Sequence, residues 1–345
     1  MAHSIPMPDL AEAVQPDDHS CGPVSALVTL VEYADFECRY CAEAFPIVRE
    51  LSARFAPCLR VVFRHSPRTY YHPRAALAAE AVEAAADQGK FWNMHDCLFQ
   101  HQGALDTWDL LAYARRLGLD EQRFADALRA RSNRSRIPRD QAAGARSRVS
   151  SSPAFFINGT RFSGGVDREA LGAAISEARR EVTRTLTEQR CATSFDALGR
   201  LLGLTTALRD TYKLHYWYGL TLPLAKLRLV LGCHMREQSD LMERISRRMF
   251  VLRPVSVLRA SREIRPWGTT ENSSEADRVE LRLTRLIDAH QFMVMRAHCL
   301  ANRLSELGDA ESTELVTQGI VTTNERQAAS ITERIFAERL APELY

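Results

Sequence analysis

Phe36-Glu37-Cys38-Arg39-Tyr40-Cys41 decides how the first half of this chain is read. The two cysteines, separated by two residues, follow the apolar run Val28-Thr29-Leu30-Val31 and precede the helix-forming Ala42-Glu43-Ala44-Phe45. They read as a redox pair at the tip of a strand. A thiolate at Cys38 would face the unpaired N–H groups of the helix start, where the positive dipole end and Arg39 both lower its pKa. Cys41, one turn further in, is the less accessible thiol that resolves a mixed disulfide. The competing readings are half of a zinc site or two unrelated buried thiols. Zinc needs a second ligand pair, and Cys21, Cys58 and His65 do not form one at recognisable spacing.

Working outward, Pro23 to Tyr33 reads as the strand that enters this helix, and the helix is expected from Tyr40 to about Phe55. Leu59 to Arg64 reads as a second strand, at a distance that suits a parallel crossover. From Pro73 to about Ala145 the pattern turns helical, with Ala75 to Ala86, a break at Gly89, Phe91 to His101, and N-caps at Asp106-Thr107 and Asp120. Extended character returns at Ser152-Pro153-Ala154-Phe155-Phe156-Ile157, and Asn158-Gly159 supplies a hairpin turn into Thr160-Arg161-Phe162. A proline just before a strand is also a place for a cis peptide bond.

The 345 residues carry 46% hydrophobic and 26% charged residues, enough apolar material for two cores. A net charge of +2, with only Lys90, Lys213 and Lys226 as lysines, gives no general drive toward DNA or an anionic membrane. Met1 to His19 has neither a basic start nor an apolar run, and no stretch reaches the roughly 18 apolar residues of a membrane span. A cytoplasmic location is the resulting expectation, with Cys21, Cys58, Cys97, Cys191, Cys233 and Cys299 as buried thiols rather than a disulfide framework.

Val31-Glu32-Tyr33 through Cys41, Gly89-Lys90-Phe91-Trp92-Asn93-Met94-His95, and Ser152-Pro153 through Gly159 occur in one order over residues 20–178. In this the chain resembles the DsbA-family proteins of the thioredoxin fold. The resemblance implies an α/β domain with a helical insertion, Cys38 as nucleophile, and Cys41 as resolving thiol. It also implies Pro153 as the cis-proline, Ser152 as the residue that shapes the substrate groove, and Glu32 as a buried acid that assists proton transfer. No cofactor is required for such thiol chemistry. The family commonly has threonine or valine where Ser152 stands and proline where Arg39 stands.

Glu177 to Arg190 reads as a helix end and a linker, and helical periodicity then dominates. Stripes run through Leu198, Leu201, Leu208, Tyr212 and His215, then Leu224, Leu227, Leu231, His234, Leu241 and Ile245. A third passes through Leu283, Leu286, His290, Met293, Ala297 and Leu304, and a fourth through Val316, Ile320, Ile331 and Ile335. Pro254 and Pro266-Trp267-Gly268 interrupt the middle, with a short helix expected between them, and Gly308-Asp309 breaks and recaps the chain. Four amphipathic helices with a long central connection predict a ferritin-like four-helix bundle. The resulting division is a mobile segment at 1–22, the redox domain at 23–180, a linker at 181–193 and the bundle at 194–340.

Lys213 to Gly219, Glu237 to Arg248, Leu286 to His290 and Leu307 to Thr313 make residues 192–338 similar to the Dps-type mini-ferritins. That resemblance implies an oligomer, from a dimer up to a closed shell of twelve, and an iron site between subunits. In one alignment frame the expected ligand positions hold Leu227, Leu231, Met242 and Ser246, and in the other Arg228, Gly232, Glu243 and Arg247. Only His215 and Glu243 are left as iron ligands, and no single frame keeps both. His215, His234 and His290 lie on apolar stripes, where a hydrogen-bonded core histidine is the more frequent explanation.

The function expected from the sequence is a cytoplasmic thiol–disulfide oxidoreductase displayed on a Dps-like oligomerisation bundle and acting in oxidative-stress defence. Its partners would be protein or small-molecule disulfides and thiols, and a second copy of the chain, with no membrane and no DNA. The alternative is a mini-ferritin that stores iron or removes peroxide, with the redox domain as an accessory.

Overall fold

A computed structural model describes residues 9–130, 135–218, 225–253 and 275–339. The chain divides into two compact units, residues 1–184 and 185–345.

In the first unit, strands β1 (His19–Cys21), β2 (Val28–Ala34), β3 (Leu59–His65), β4 (Ala154–Ile157) and β5 (Thr160–Phe162) form one sheet in the order β1-β3-β2-β4-β5. β2 and β3 run parallel, with Glu32 opposite Phe63, and the other pairs are antiparallel. The parallel pair is joined through α1 (Arg39–Arg54), as a crossover requires. Between β3 and β4 come α2 (Ala75–Ala86), α3 (Phe91–Gln100), α4 (Thr107–Arg116), α5 (Glu121–Ala130) and α6 (Arg136–Arg146). This is the predicted helical insertion. Asp120 accepts from the Arg123 N–H at 2.9 Å, and Asn158 and Gly159 both hold positive φ, 49° and 85°, in the hairpin turn.

Strand alternation sorts the core. Val28, Leu30, Leu59, Val61, Phe155 and Ile157 pack on Ala44, Val48 and Leu51 of α1. On the opposite face Val31, Tyr33, Val62 and Phe156 meet Leu10. A third cluster joins Phe36, Cys38, Cys41 and Phe63 to the inserted helices.

Two boundaries differ from the sequence reading. Residues 9–22, expected within a mobile segment, belong to the fold: Leu10 is buried, β1 pairs with β3, and the buried Asp18 carboxylate holds the buried Arg64 guanidinium at 2.8 Å. A buried cation needs such a partner, and it lies 46 residues away in the chain. The stretch 181–193, expected as linker, is helical throughout, inside α7 (Arg168–Tyr218). It contains neither glycine nor proline, and Arg180–Glu177 and Arg184–Glu181 pairs support the helix at i,i+3 spacing.

The second unit contains the rest of α7, then α8 (Ala225–Leu252), α9 (Glu275–Glu306), α10 (Ala310–Glu314), a π-helical turn (Leu315–Val321) and α11 (Thr322–Arg339). Four helical segments contribute to each of two apolar clusters. One holds Leu198, Leu201, Ile245, Ala297, Leu304 and Ile320, and the other holds Leu208, Leu231, Leu286 and Ile331. Asp309 accepts from the Ser312 N–H and recaps the chain after Gly308, as its sequence predicts. The short helix expected between Pro254 and Pro266, and Leu224 of the second stripe, lie outside the described residues.

Candidate active site

Cys38 is the N-cap of α1 and Cys41 sits in its first turn. Cys38 keeps 4% of its surface exposed and Cys41 none, so the expected order of accessibility holds by a narrow margin. The Ser152–Pro153 peptide is cis, and the Ser152 carbonyl oxygen stands 3.4 Å from Cys38 Sγ. Residues 114 apart in sequence thereby share one site.

The electrostatics separate the two thiols. A hydrogen bond from the Cys41 thiol, opposed by burial and aided by the Cys41 and Tyr40 backbone N–H groups and the Ser152 side chain, lowers the Cys38 pKa to about 5. Burial pushes Cys41 upward, and the neighbouring Cys38 and Glu32 charges add to that. Arg39, expected to favour the thiolate, instead lies 3.5 Å from Glu43 on the exposed side of the helix. The Cys41 thiol first, then the backbone N–H groups of the helix start, rather than that arginine, lower the Cys38 pKa.

Glu32 is buried at 4% exposure, with Oε1 free of any hydrogen-bond partner, and burial raises its pKa to about 8. A carboxyl that titrates near neutrality, and whose charge acts on Cys41, can exchange a proton with that thiol. It lines a cavity of about 310 Å³ on the α1 side of the sheet.

Sequence reasoning missed the residues that hold the loop. Asp35 donates its N–H to Cys41 Sγ at 3.5 Å, and its carbonyl accepts from the Cys38 N–H at 3.1 Å. Its buried carboxylate accepts from the Glu37 and Arg68 N–H groups, both at 2.8 Å, and lies 2.7 Å from His72 Nδ1. Gln102 Nε2 donates to the carbonyls of Phe36 and Cys38 at 2.7 and 2.9 Å. An aspartate three residues before the nucleophile was a usable signal. Gln102, in a loop 64 residues beyond Cys38, carries none.

In the second unit, His215 and Glu243 have different surroundings. Burial, with Arg282 and Arg285, lowers the His215 pKa to about 4, whereas Glu243 is exposed and lies 2.5 Å from Arg247. His234 and His290 are hydrogen-bonded core residues. The Tyr212 hydroxyl stands 3.1 Å from His234 Nδ1 and 2.6 Å from His290 Nε2, and His290 Nδ1 lies 2.8 Å from Asn324 Oδ1. Gln238 donates to both Asn324 and Gln327. Among the described residues, no three His, Cys, Asp or Glu side chains are grouped to hold a metal.

Residues 14–177 match the family described as Thioredoxin, and the first unit is a thioredoxin-like domain. Over 171 residues the chain is 52% identical to a Salinispora arenicola protein named Na(+)/H(+) antiporter NhaA 1, covering 49% of this chain and 26% of that one. Over 177 residues it is 44% identical to Na(+)/H(+) antiporter NhaA of Herminiimonas arsenicoxydans, covering 51% and 28%. The chain thus spans about a quarter of the length of these curated relatives, whose names describe whole proteins. No helix among the described residues is long and apolar enough to cross a membrane. Of solved structures, a thioredoxin-like oxidoreductase from Silicibacter pomeroyi is 27% identical, covering 48% of this chain and 94% of that one, at a TM-score of 0.43. DpsC from Streptomyces coelicolor is also 27% identical, covering 43% and 86%, at a TM-score of 0.37.

Proposed function

We propose that the protein is a thiol–disulfide oxidoreductase whose first unit carries the chemistry at Cys38 and Cys41. The observation that carries this reading is the Cys38 thiol at the start of α1, beside the cis Ser152–Pro153 peptide, with its pKa lowered to about 5. At pH 7 such a thiol is mostly thiolate. The Cys38 thiolate attacks one sulfur of a substrate disulfide, forming a mixed disulfide and releasing the first substrate thiolate. Cys41 loses its proton to the ionised form of Glu32 and attacks Cys38 Sγ. The Cys38–Cys41 bond forms, the second substrate thiolate leaves, and the substrate has gained two electrons. An external dithiol then resets the pair.

Peptide-disulfide reduction with an external dithiol tests this reading. Cys38→Ser abolishes turnover, and Cys41→Ser accumulates protein bound to substrate through Cys38. Full turnover in Cys38→Ser would end the proposal.

The same proposal takes the second unit as a Dps-like, ferritin-like scaffold that gathers copies of the chain, in the cytoplasm and in oxidative-stress defence. Supporting it are the four helical segments around shared apolar clusters and the recapped break at Gly308-Asp309. Iron at His215 and Glu243 belongs to the alternative mini-ferritin reading, and their separate surroundings do not favour it. Light scattering on the full chain decides the scaffold role, which predicts a dimer or larger and fails for a monomer.

A further inference from the structure

The cavity beside Glu32 is lined largely by apolar side chains, among them Phe45, Val48, Val61 and Trp92. Two buried polar atoms of its lining residues are without hydrogen-bond partners, Glu32 Oε1 and His95 Nε2. Both residues are more than nine-tenths buried, at 4% and 5% exposure. Buried polar groups are normally paired, directly or through water. A water molecule occupies about 30 Å³ in the liquid, so a cavity of this size holds several. Cys21, Arg49 and Ala53, all exposed, line the same cavity and open it to solvent.

The other ring nitrogen of His95 is partnered. Its Nδ1 lies 3.0 Å from Asp96 Oδ1, and a carboxylate oxygen can only accept, so Nδ1 carries the hydrogen and Nε2 presents a lone pair. Asp96 is 34% exposed and lies 3.6 Å from Arg49 through Oδ2. A chain of acceptors and donors therefore leads from the interior to the surface.

We propose that His95 and Asp96 are relay residues that carry the proton between Glu32 and solvent through cavity water. The inference rests on the oxidoreductase reading. Glu32, protonated near neutral pH, first passes its proton through water to His95 Nε2, while the Nδ1 proton moves to Asp96 and out. When Cys41 then attacks the mixed disulfide, its proton goes to the ionised Glu32, the Cys38–Cys41 bond forms, and the substrate thiolate leaves with the electron pair of the broken S–S bond. The imidazole has then exchanged tautomers. Reduction of the Cys38–Cys41 disulfide by the external dithiol draws a proton back along the same path and restores it.

Three other features agree with this assignment. Burial lowers the His95 pKa, opposed by the Asp96 hydrogen bond and aided by His65 and His19, which favours the neutral imidazole. The remaining rings packed on His95 belong to Phe36, Phe45, Phe63, Phe91, Trp92 and Phe99 and do not titrate. Cys41, Cys38 and Glu32 are the titrating groups on the thiol side.

The test is stopped-flow mixing of the reduced full chain with glutathione disulfide from pH 5 to 9, resolving mixed-disulfide formation from its resolution by Cys41. Glu32→Gln slows resolution by about 100-fold or more, within the range of general acid–base catalysis. His95→Gln and Asp96→Asn slow the same step, flatten its pH profile, and leave formation unchanged. The double variant Glu32→Gln/His95→Gln is no slower than Glu32→Gln, and free imidazole restores part of the rate to His95→Gln. Wild-type resolution and pH profile in His95→Gln would overturn the relay alone, as would effects that multiply in the double variant. A wild-type chain that forms no mixed disulfide would overturn both the relay and the oxidoreductase reading.

Discussion

His95 of the first unit and His290 of the second are both buried, to opposite ends. In the first, His95 leaves one nitrogen unpartnered beside a cavity, and Glu32 does the same with a carboxyl oxygen. In the second, His290 is held at both nitrogens, between Tyr212 and Asn324, and Asn324 and Gln327 continue the network to Gln238. A buried polar group that is fully paired fixes packing and exchanges nothing. One left open beside a cavity can take up or release a proton. Burial of a histidine is therefore not by itself a functional sign; His95 is distinguished by an open nitrogen in a residue that lines a cavity.

The sharpest test separates chemistry from structure. Cys38→Ser should reduce disulfide exchange by about 1000-fold or more, the scale seen when a covalent nucleophile is removed, without moving the thermal unfolding of the second unit. His290→Leu should do the reverse. It leaves Tyr212 and Asn324 buried with lost partners and should destabilise the second unit by about 2–4 kcal/mol in calorimetry, with exchange unchanged. Loss of exchange in His290→Leu would show that the paired histidine is not merely structural.

A third test uses pH. The folded pKa of Glu32, about 8, lies above its ordinary value near 4.5, so the native state holds a proton that the unfolded chain has lost. Its favourable contribution is complete below about 4.5 and disappears as pH rises through about 8. Glu32→Gln does not titrate. Its melting temperature should match that of the wild type near pH 4.5 and exceed it increasingly toward pH 9, by the equivalent of a few kcal/mol on the order of the linkage slope. A constant difference across that range would mean that Glu32 is not titrating in the folded chain.

The smallest expected effect is at Ser152. Its side chain contributes to lowering the Cys38 pKa, so Ser152→Ala should raise that pKa by less than about one unit in the pH profile of thiol alkylation. The same change should make the reduction potential of the pair more negative, on the order of tens of millivolts or less, because a less stabilised thiolate favours the disulfide.

What the sequence determined is what neighbours along the chain decide. CxxC after an apolar run places two thiols at a strand-to-helix junction, Asn158-Gly159 turns a hairpin, and apolar spacing marks the buried faces of helices, including Leu198, Leu231, Leu286 and Ile320. The reading failed where the outcome depended on distant partners. Three polar residues in His19-Ser20-Cys21 give no strand alternation, yet Val61, Val62 and Phe63 pair with them. The linker expected at 181–193 was judged from composition, and the absence of a breaker left it helical. The identity of Glu32 was legible, but its pKa near 8 arises from desolvation by residues gathered from α1, α3 and β3, which no local pattern encodes. The Asp35–His72 pair, the Gln102 clamp on the active-site loop and the open nitrogen of His95 belong to the same class. Local propensity acts over a few residues, whereas desolvation and ion pairing depend on which groups the folded chain brings together, and only the tertiary structure decides that.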